Sequence, residues 1–228
     1  MGCSAPRPRC PDAVPRFGTV ILDLDGTVID TVALIRESHR HAVGTVLGID
    51  LPDEVLTAHV GRPLIDQMRE FSPERADEML HVFREWNHAN TARLIAEYEG
   101  MDAVLTRLHG AGCRLAIVTS KSHPTVALAF AAIPGLEARF EVVIAMEDST
   151  HHKPHPEPLL VALARMDADP ADTCYVGDAP FDIRAARAAG LSAIGVTWGF
   201  FTPQALLAEG PDHVVDTPAA LADLLTGV

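Results

Sequence analysis

The sequence predicts an α/β protein: a doubly wound parallel sheet with an all-α segment inserted after its first strand. Three observations carry that reading. Short apolar runs rich in β-branched residues alternate with helical stretches through most of the chain. These runs end in acidic or hydroxyl-bearing residues, and between the first and second lies a long segment whose apolar residues recur only at helical spacing.

The first run, residues 19–22 (TVIL), has no polar alternation, the pattern of a parallel strand buried on both faces. It leads into Asp23-Leu24-Asp25-Gly26-Thr27. Side chains alternate along a strand, so Asp23 and Asp25 share a side while Leu24 faces away, and Gly26 permits an immediate turn. Over residues 31–99 the strand signal vanishes. Val32, Ile35, Val43 and Val46 recur at helical spacing, and Ser72-Pro73 opens a second helical stretch through Val82, Trp86 and Leu94. Linkers are expected near Asp30-Thr31 and Glu99-Gly100.

Beyond the insertion, a helix over 102–109 precedes a strand over 115–118 (LAIV). That strand ends in Thr119, Ser120 and Lys121, just before the helix-start signal Ser122-His123-Pro124. A strand over 142–145 follows. Lys153 stands in Lys-Pro-His-Pro-Glu-Pro, whose prolines restrict the backbone ahead of a helix over Glu157–Met166. Residues 173–176 (TCYV) run into Gly177-Asp178-Ala179-Pro180-Phe181-Asp182 and a helix closed by Gly190. One more strand reaches Val196, and Pro-started helices after Thr202 and Thr217 are expected as edge elements. The carboxyl ends of parallel strands line one crevice in such sheets, so these polar groups are expected to converge on one site.

In this order, Asp23-Leu24-Asp25-Gly26-Thr27, Thr119, Lys153 and Gly177-Asp178-Ala179-Pro180-Phe181-Asp182 resemble the four motifs of the haloacid dehalogenase superfamily. Within it, the chain resembles the small capped phosphatases of the phosphoglycolate phosphatase type, over roughly residues 19–198. The resemblance implies a Rossmann-like core over 17–30 and 100–228, with a helical cap over 31–99 that closes over the site and selects the leaving group. It implies Asp23 as the nucleophile that forms an aspartyl phosphate, and Asp25 as general acid and base. It assigns Mg²⁺ to the side chains of Asp23 and Asp178 and the main-chain carbonyl of Asp25. Thr119, Ser120 and Lys153 would hold phosphate oxygens, and Asp182 would orient Lys153 or metal-bound water. Ser120 stands where many relatives have Asn, and the loop before Lys153 is His-rich. The demand for cations is physical, because phosphoryl transfer spreads negative charge over equatorial oxygens that four nearby carboxylates would repel.

Substrate choice would lie in the cap. Arg36, His39, Arg62 and Arg69 are candidates for a second anionic group, and Gly61-Arg62-Pro63 is the best of them because such relatives carry a core-facing Gly-x-Pro turn there. The leading substrate is 2-phosphoglycolate. The alternatives are an inorganic pyrophosphatase, a sugar-phosphate phosphatase or mutase of the same fold, and a non-catalytic binder of a phosphorylated ligand. A dehalogenase or phosphonate hydrolase is disfavoured, because those relatives lack the acid that Asp25 supplies. His151, His152 and His155 are read as solvent-facing and not as the primary metal site.

With 228 residues the chain is long enough to bury a substantial core, and its formal charge of −13 argues against nucleic-acid or anionic-membrane partners. No apolar run approaches the roughly 20 residues that span a bilayer. Residues 1–16, rich in Pro and Arg and without a signal-peptide core, are expected to be a disordered lead-in. The four cysteines form no Cys-x-x-Cys pair, and reduced thiols in a cytoplasm are expected. The expected partner is a small phosphorylated metabolite, and the expected state a monomer or homodimer.

Overall fold

The computed structural model describes residues 16–227. Its elements run β1 (Thr19–Leu22), β2 (Ile29–Asp30), α1 (Val32–Leu47), α2 (Asp53–Thr57), α3 (Leu64–Phe71), α4 (Ala76–Leu94) and β3 (Ala96–Glu97). They continue with α5 (Met101–Gly110), β4 (Arg114–Val118), α6 (His123–Ala132), β5 (Val142–Ile144), α7 (Glu157–Met166) and β6 (Thr173–Gly177). The chain finishes with α8 (Pro180–Ala188), β7 (Ser192–Val196), α9 (Pro203–Leu207), β8 (His213–Val215) and α10 (Pro218–Thr226).

Six strands form one parallel sheet in the order β5-β4-β1-β6-β7-β8. Strand order therefore reverses direction at β1, which pairs with β4 on one side and β6 on the other. The crevice at such a switch point is where open α/β sheets bind ligands. Asp23, Thr119 and Asp178 each follow directly on one of these three strands.

Alternation along the strands feeds two cores. Val20, Leu22, Leu115, Ile117 and Val176 pack with α5, α6 and α10, whereas Ile21, Ala116, Val118 and Tyr175 pack with α7 and α8. Burial on both faces explains the absence of polar alternation in the sequence. The last helix is no mere edge element: Leu221 and Leu225 of α10 are fully buried and pack in the same cluster as α5. The sequence gives no warning of β8, three half-buried residues paired on one side only. Arg16, assigned to the lead-in, donates its backbone N–H to the Leu225 carbonyl at 2.9 Å, and Phe17 is buried. The rest of that lead-in, with Cys3 and Cys10, lies outside the described residues. Cys113 and Cys174 are free and buried. No helix among the described residues is long and apolar enough to cross a membrane.

The insertion holds a core of its own, in which Ile35, Val43 and Val46 of α1 meet Met68 of α3 and Met79 and Phe83 of α4. It is not purely helical as expected. Its two linkers pair as an antiparallel ribbon, Ile29 opposite Glu97 and Asp30 opposite Ala96, too short for any periodicity to reveal.

His39 belongs to this core and is withdrawn as a substrate contact. It is fully buried, with Nδ1 donating to the Ile35 carbonyl at 3.0 Å and its ring edge-on to Phe83 at 4.8 Å and Phe71 at 5.8 Å. Burial lowers its pKa from 6.5 to about 4, despite the hydrogen bond to Ile35. Because the folded value lies below the unfolded one, the neutral ring's contribution is fully present above about pH 6.5 and is lost as pH falls toward 4. The expected loss is on the order of 3 kcal/mol. Unfolding curves between pH 7 and 4 should therefore show an acid slope that His39→Leu removes.

Candidate active site

β1 delivers its two acids through a tight turn. The Asp23 N–H continues the ladder to the Val176 carbonyl at 2.8 Å, and the chain then folds back as Gly26 N–H donates to Ile29 O and Val28 and Ile29 donate to Leu24 O, each at 3.0 Å. Gly26 takes φ +73°, and a Cβ there would collide with the Asp178 carboxylate. Asp23 is buried against Lys153, and Asp25 sits at the inner edge of a cleft, 2.8 Å from Lys121 Nζ.

Lys153 is almost fully buried. Its Nζ lies 3.0 Å from Asp23 Oδ1 and 2.7 Å from Asp182 Oδ1, and it donates to the Tyr175 hydroxyl at 3.0 Å. Burial alone would push this ammonium down, but Asp182 and Asp23 outweigh it and hold the pKa well above the ordinary lysine value. Asp182 is fixed in turn: its Oδ2 accepts from Ala179 N–H at 3.0 Å in the first turn of α8, and its Oδ1 lies 3.1 Å from the Tyr175 hydroxyl. Gly177 is required here, because a Cβ would overlap the Asp182 side chain.

Asp178 accepts from Phe200 N–H at 2.7 Å, and a Cβ at Gly199 would collide with the same carboxylate. The loop that supplies this donor reaches in two other directions. Trp198 Nε1 donates to the Thr27 carbonyl at 3.1 Å, and the Phe200 and Phe201 rings pack against the core of the insertion. Burial, aided by Asp182 and Asp23, raises the Asp178 pKa well above the carboxylate range. Burial likewise raises Asp23 to about 7, against the pull of Lys153 and with help from Asp182 and Asp25.

These residues fit a divalent cation. Four carboxylates, Asp23, Asp25, Asp178 and Asp182, face two ammonium groups, Lys121 and Lys153. Oxygens of Asp23, Asp178 and Asp182 lie within 4.8 Å of one another. Asp182 is already engaged by Lys153 and Ala179, so Asp23 and Asp178 are the side chains placed to hold a hard cation such as Mg²⁺. His151, His155 and Glu157 form a separate, mostly exposed cluster, where Glu157 accepts from the Thr150 and His151 backbone and from the His151 ring at 2.6 Å.

A cleft of about 770 Å³, part of it open to solvent, runs between the strand ends and the insertion. Thr119 lines it, its hydroxyl accepting from Lys121 N–H at 3.2 Å. Ser120 crosses it, donating to the Gly61 carbonyl at 2.8 Å, so the Gly61-Arg62-Pro63 turn does face the core. Gly61 has φ +98°, and a Cβ there would crowd Ala179 and Phe181. Arg62 lines the cleft, yet its guanidinium pairs with Glu70 at 2.7 Å. Arg36 and Arg69 do not line it. Carboxylates on the outside of the insertion hold them, Glu37 and Asp53 for Arg36 and Asp66 for Arg69.

With the geometry in place, comparison decides the family. The family profile described as haloacid dehalogenase-like hydrolase matches residues 20–196. The chain belongs to that family. Among curated relatives of this hydrolase, the pyrophosphatase PpaX of Anoxybacillus flavithermus is 37% identical over 209 residues, covering 92% of this chain and 97% of that one. PpaX of Bacillus velezensis is 35% identical over 215 residues, covering 93% and 98%. Among solved structures, a predicted phosphoglycolate phosphatase from Haemophilus somnus 129pt shares the fold with a TM-score of 0.83 at 21% identity, covering 92% of this chain and 98% of that one.

Three parts of this hydrolase's site go unread in the sequence. Tyr175 hides inside an apolar strand, although a tyrosine buried there must send its hydroxyl to a partner. Lys121 is noticed only as the end of a strand. The cleft wall on α4, with Phe83, Arg84, Asn87 and His88, reads as an ordinary amphipathic helix.

The Lys153 cluster generates a stability prediction. Removing Asp182 takes away one of the two carboxylates on Lys153 and the acceptor of Ala179 N–H, while Asp23 still pairs with the ammonium, so Asp182→Ala should destabilise the fold by about 1–3 kcal/mol in urea unfolding. Asp182→Asn, which can keep an acceptor for Ala179 N–H, should lose less than Asp182→Ala.

Proposed function

We propose that the chain is a Mg²⁺-dependent phosphoric monoester hydrolase that passes a phosphoryl group from a small anionic substrate to Asp23 and then to water. The observation that carries the reading is the buried Asp23 carboxylate at the end of β1, 3.0 Å from Lys153 and walled by Asp25 and Asp178. An Asp23 oxygen attacks phosphorus, and the bond from phosphorus to the leaving oxygen breaks. Asp25 protonates that oxygen, then takes a proton from the water that attacks the aspartyl phosphate, releasing inorganic phosphate and restoring Asp23. Lys153, with Asp182 and Tyr175 behind it, holds positive charge beside the transferring group, and Thr119 offers its hydroxyl to the phosphoryl oxygens, whereas the Ser120 hydroxyl is engaged by the Gly61 carbonyl. When bound, Mg²⁺ would neutralise charge between Asp23, Asp178 and the phosphoryl oxygens.

Inorganic pyrophosphate is supported as a substrate by the names of the relatives above 30% identity. The resemblance to the phosphoglycolate phosphatase type supports 2-phosphoglycolate. The same residues serve both, since only the leaving group changes from a glycolate oxygen to a phosphate. We take the setting to be the cytoplasm, the partner to be a small metabolite, and the protein to act as a monomer or homodimer.

A panel of phosphate esters and pyrophosphate with Mg²⁺ tests the reading. Asp23→Asn should lower kcat by about a thousandfold or more while the fold persists. Asp25→Ala should let a species heavier by one phosphoryl group accumulate, visible in the intact mass. Turnover that survives Asp23→Asn would exclude the proposed nucleophile.

A further inference from the structure

We propose that Arg84 and His88 of α4 form a subsite for a second anionic group of the substrate. The inference rests on the phosphatase reading and deepens it. Cations lining the cleft are Arg62, Arg84, Lys121 and Lys153, and His88 lines it as a neutral ring, its pKa lowered by partial burial and by Arg84 and Lys121. Lys153 is committed to Asp23 and Asp182, Lys121 to Asp25, and Arg62 to Glu70. Elsewhere in the insertion Arg36, Arg40, Arg69 and Arg75 also pair with carboxylates. Arg84 lines the cleft with no carboxylate partner among the described residues. In a chain with 31 acidic residues against 18 Lys and Arg, a guanidinium left unneutralised at the cleft is free to meet an anion from outside.

Its neighbours shape the subsite. Arg84 and His88 are four residues apart and therefore share one helix face. His88 Nε2 lies 3.4 Å from Thr125 Oγ1 of α6, which brings this face against the core at the cleft edge. Between them Asn87 is buried and donates to Ser38 Oγ of α1 at 3.0 Å, which anchors the wall. Electrostatics sorts the two ends of a ligand. A transferring phosphoryl group belongs beside Lys153, where a second negative charge would meet Asp23, Asp25 and Asp178. That charge is driven instead toward α4, where the Arg84 guanidinium has no carboxylate partner among the described residues. The substrate class is a small molecule with a phosphoryl group and a second anion, either phosphoryl or carboxylate, a short distance away.

Calorimetric titration of Asp23→Asn protein in Mg²⁺ tests this apart from turnover, using ethyl phosphate, 2-phosphoglycolate and pyrophosphate with and without Arg84→Met. Ethyl phosphate keeps the two-carbon skeleton of 2-phosphoglycolate with a methyl group in place of the carboxylate. Arg84→Met should weaken at least one of the two doubly anionic ligands by about tenfold or more and ethyl phosphate by less than about twofold, with Arg84→Lys restoring part of the loss. The doubly anionic ligand that loses more identifies the second group as phosphoryl or carboxylate. Equal weakening of all three ligands, no change, or failure of both doubly anionic ligands to bind would overturn the subsite. Turnover by the intact protein judges the phosphatase reading separately. Arg84 is exposed, so the unfolding midpoint should stay put, whereas a purely structural role would move it.

Discussion

Too many carboxylates for the available cations, gathered where water is scarce, is the constraint on which the rest of the structure depends. Asp23, Asp178 and Asp182 are buried at the ends of β1 and β6, and Lys153 is buried among them. A charge taken from water costs several kcal/mol unless it is paired and hydrogen-bonded, so the surroundings are built as donors. Lys153 faces two carboxylates, Ala179 N–H caps Asp182, and Phe200 N–H meets Asp178. Gly26, Gly177 and Gly199 follow from the same pressure, because only a residue without a Cβ lets the backbone approach those acids so closely. What stays uncompensated is the raised pKa of Asp23 and Asp178, a deficit of positive charge that a divalent cation and the electrostatics of phosphoryl transfer both answer.

The sheet makes that gathering possible. Parallel strands present their carboxyl ends on one edge, and the reversal of order at β1 opens the crevice beside Asp23. Residues far apart in sequence, such as Asp23 and Lys153, meet because each ends or follows a strand and not because of any local preference. The insertion completes the other wall, with its own hydrophobic core and a two-stranded ribbon joining its linkers.

Groups at strand ends were legible in the sequence because the signal there is local: an apolar run, then polar residues, then a helix start. The positions of Asp23, Asp25, Thr119, Lys153, Asp178 and Asp182 around one crevice follow from that pattern and the parallel topology. Positions on the insertion were not legible in this way. His39 and Arg36 lie on one helix at spacings that suit a core or a cleft equally, and only packing against Phe83 and pairing with Asp53 distinguish them. Arg84 and His88 escaped for the complementary reason, since a charged helix face usually meets only solvent. The strands β2, β3 and β8 have too few residues to show any period.

The segment after β7 joins the sheet to the insertion. Phe200 gives its N–H to Asp178 while its half-buried ring, with that of Phe201, packs against the hydrophobic core of the insertion, and Trp198 ties the same segment to the turn that carries Asp25 and contacts Tyr98 just beyond β3. Any displacement of the insertion relative to the sheet would therefore strain the segment that gives Asp178 its donor. One wall of the cleft and the aim of one of its carboxylates thus hang on a single short stretch of chain.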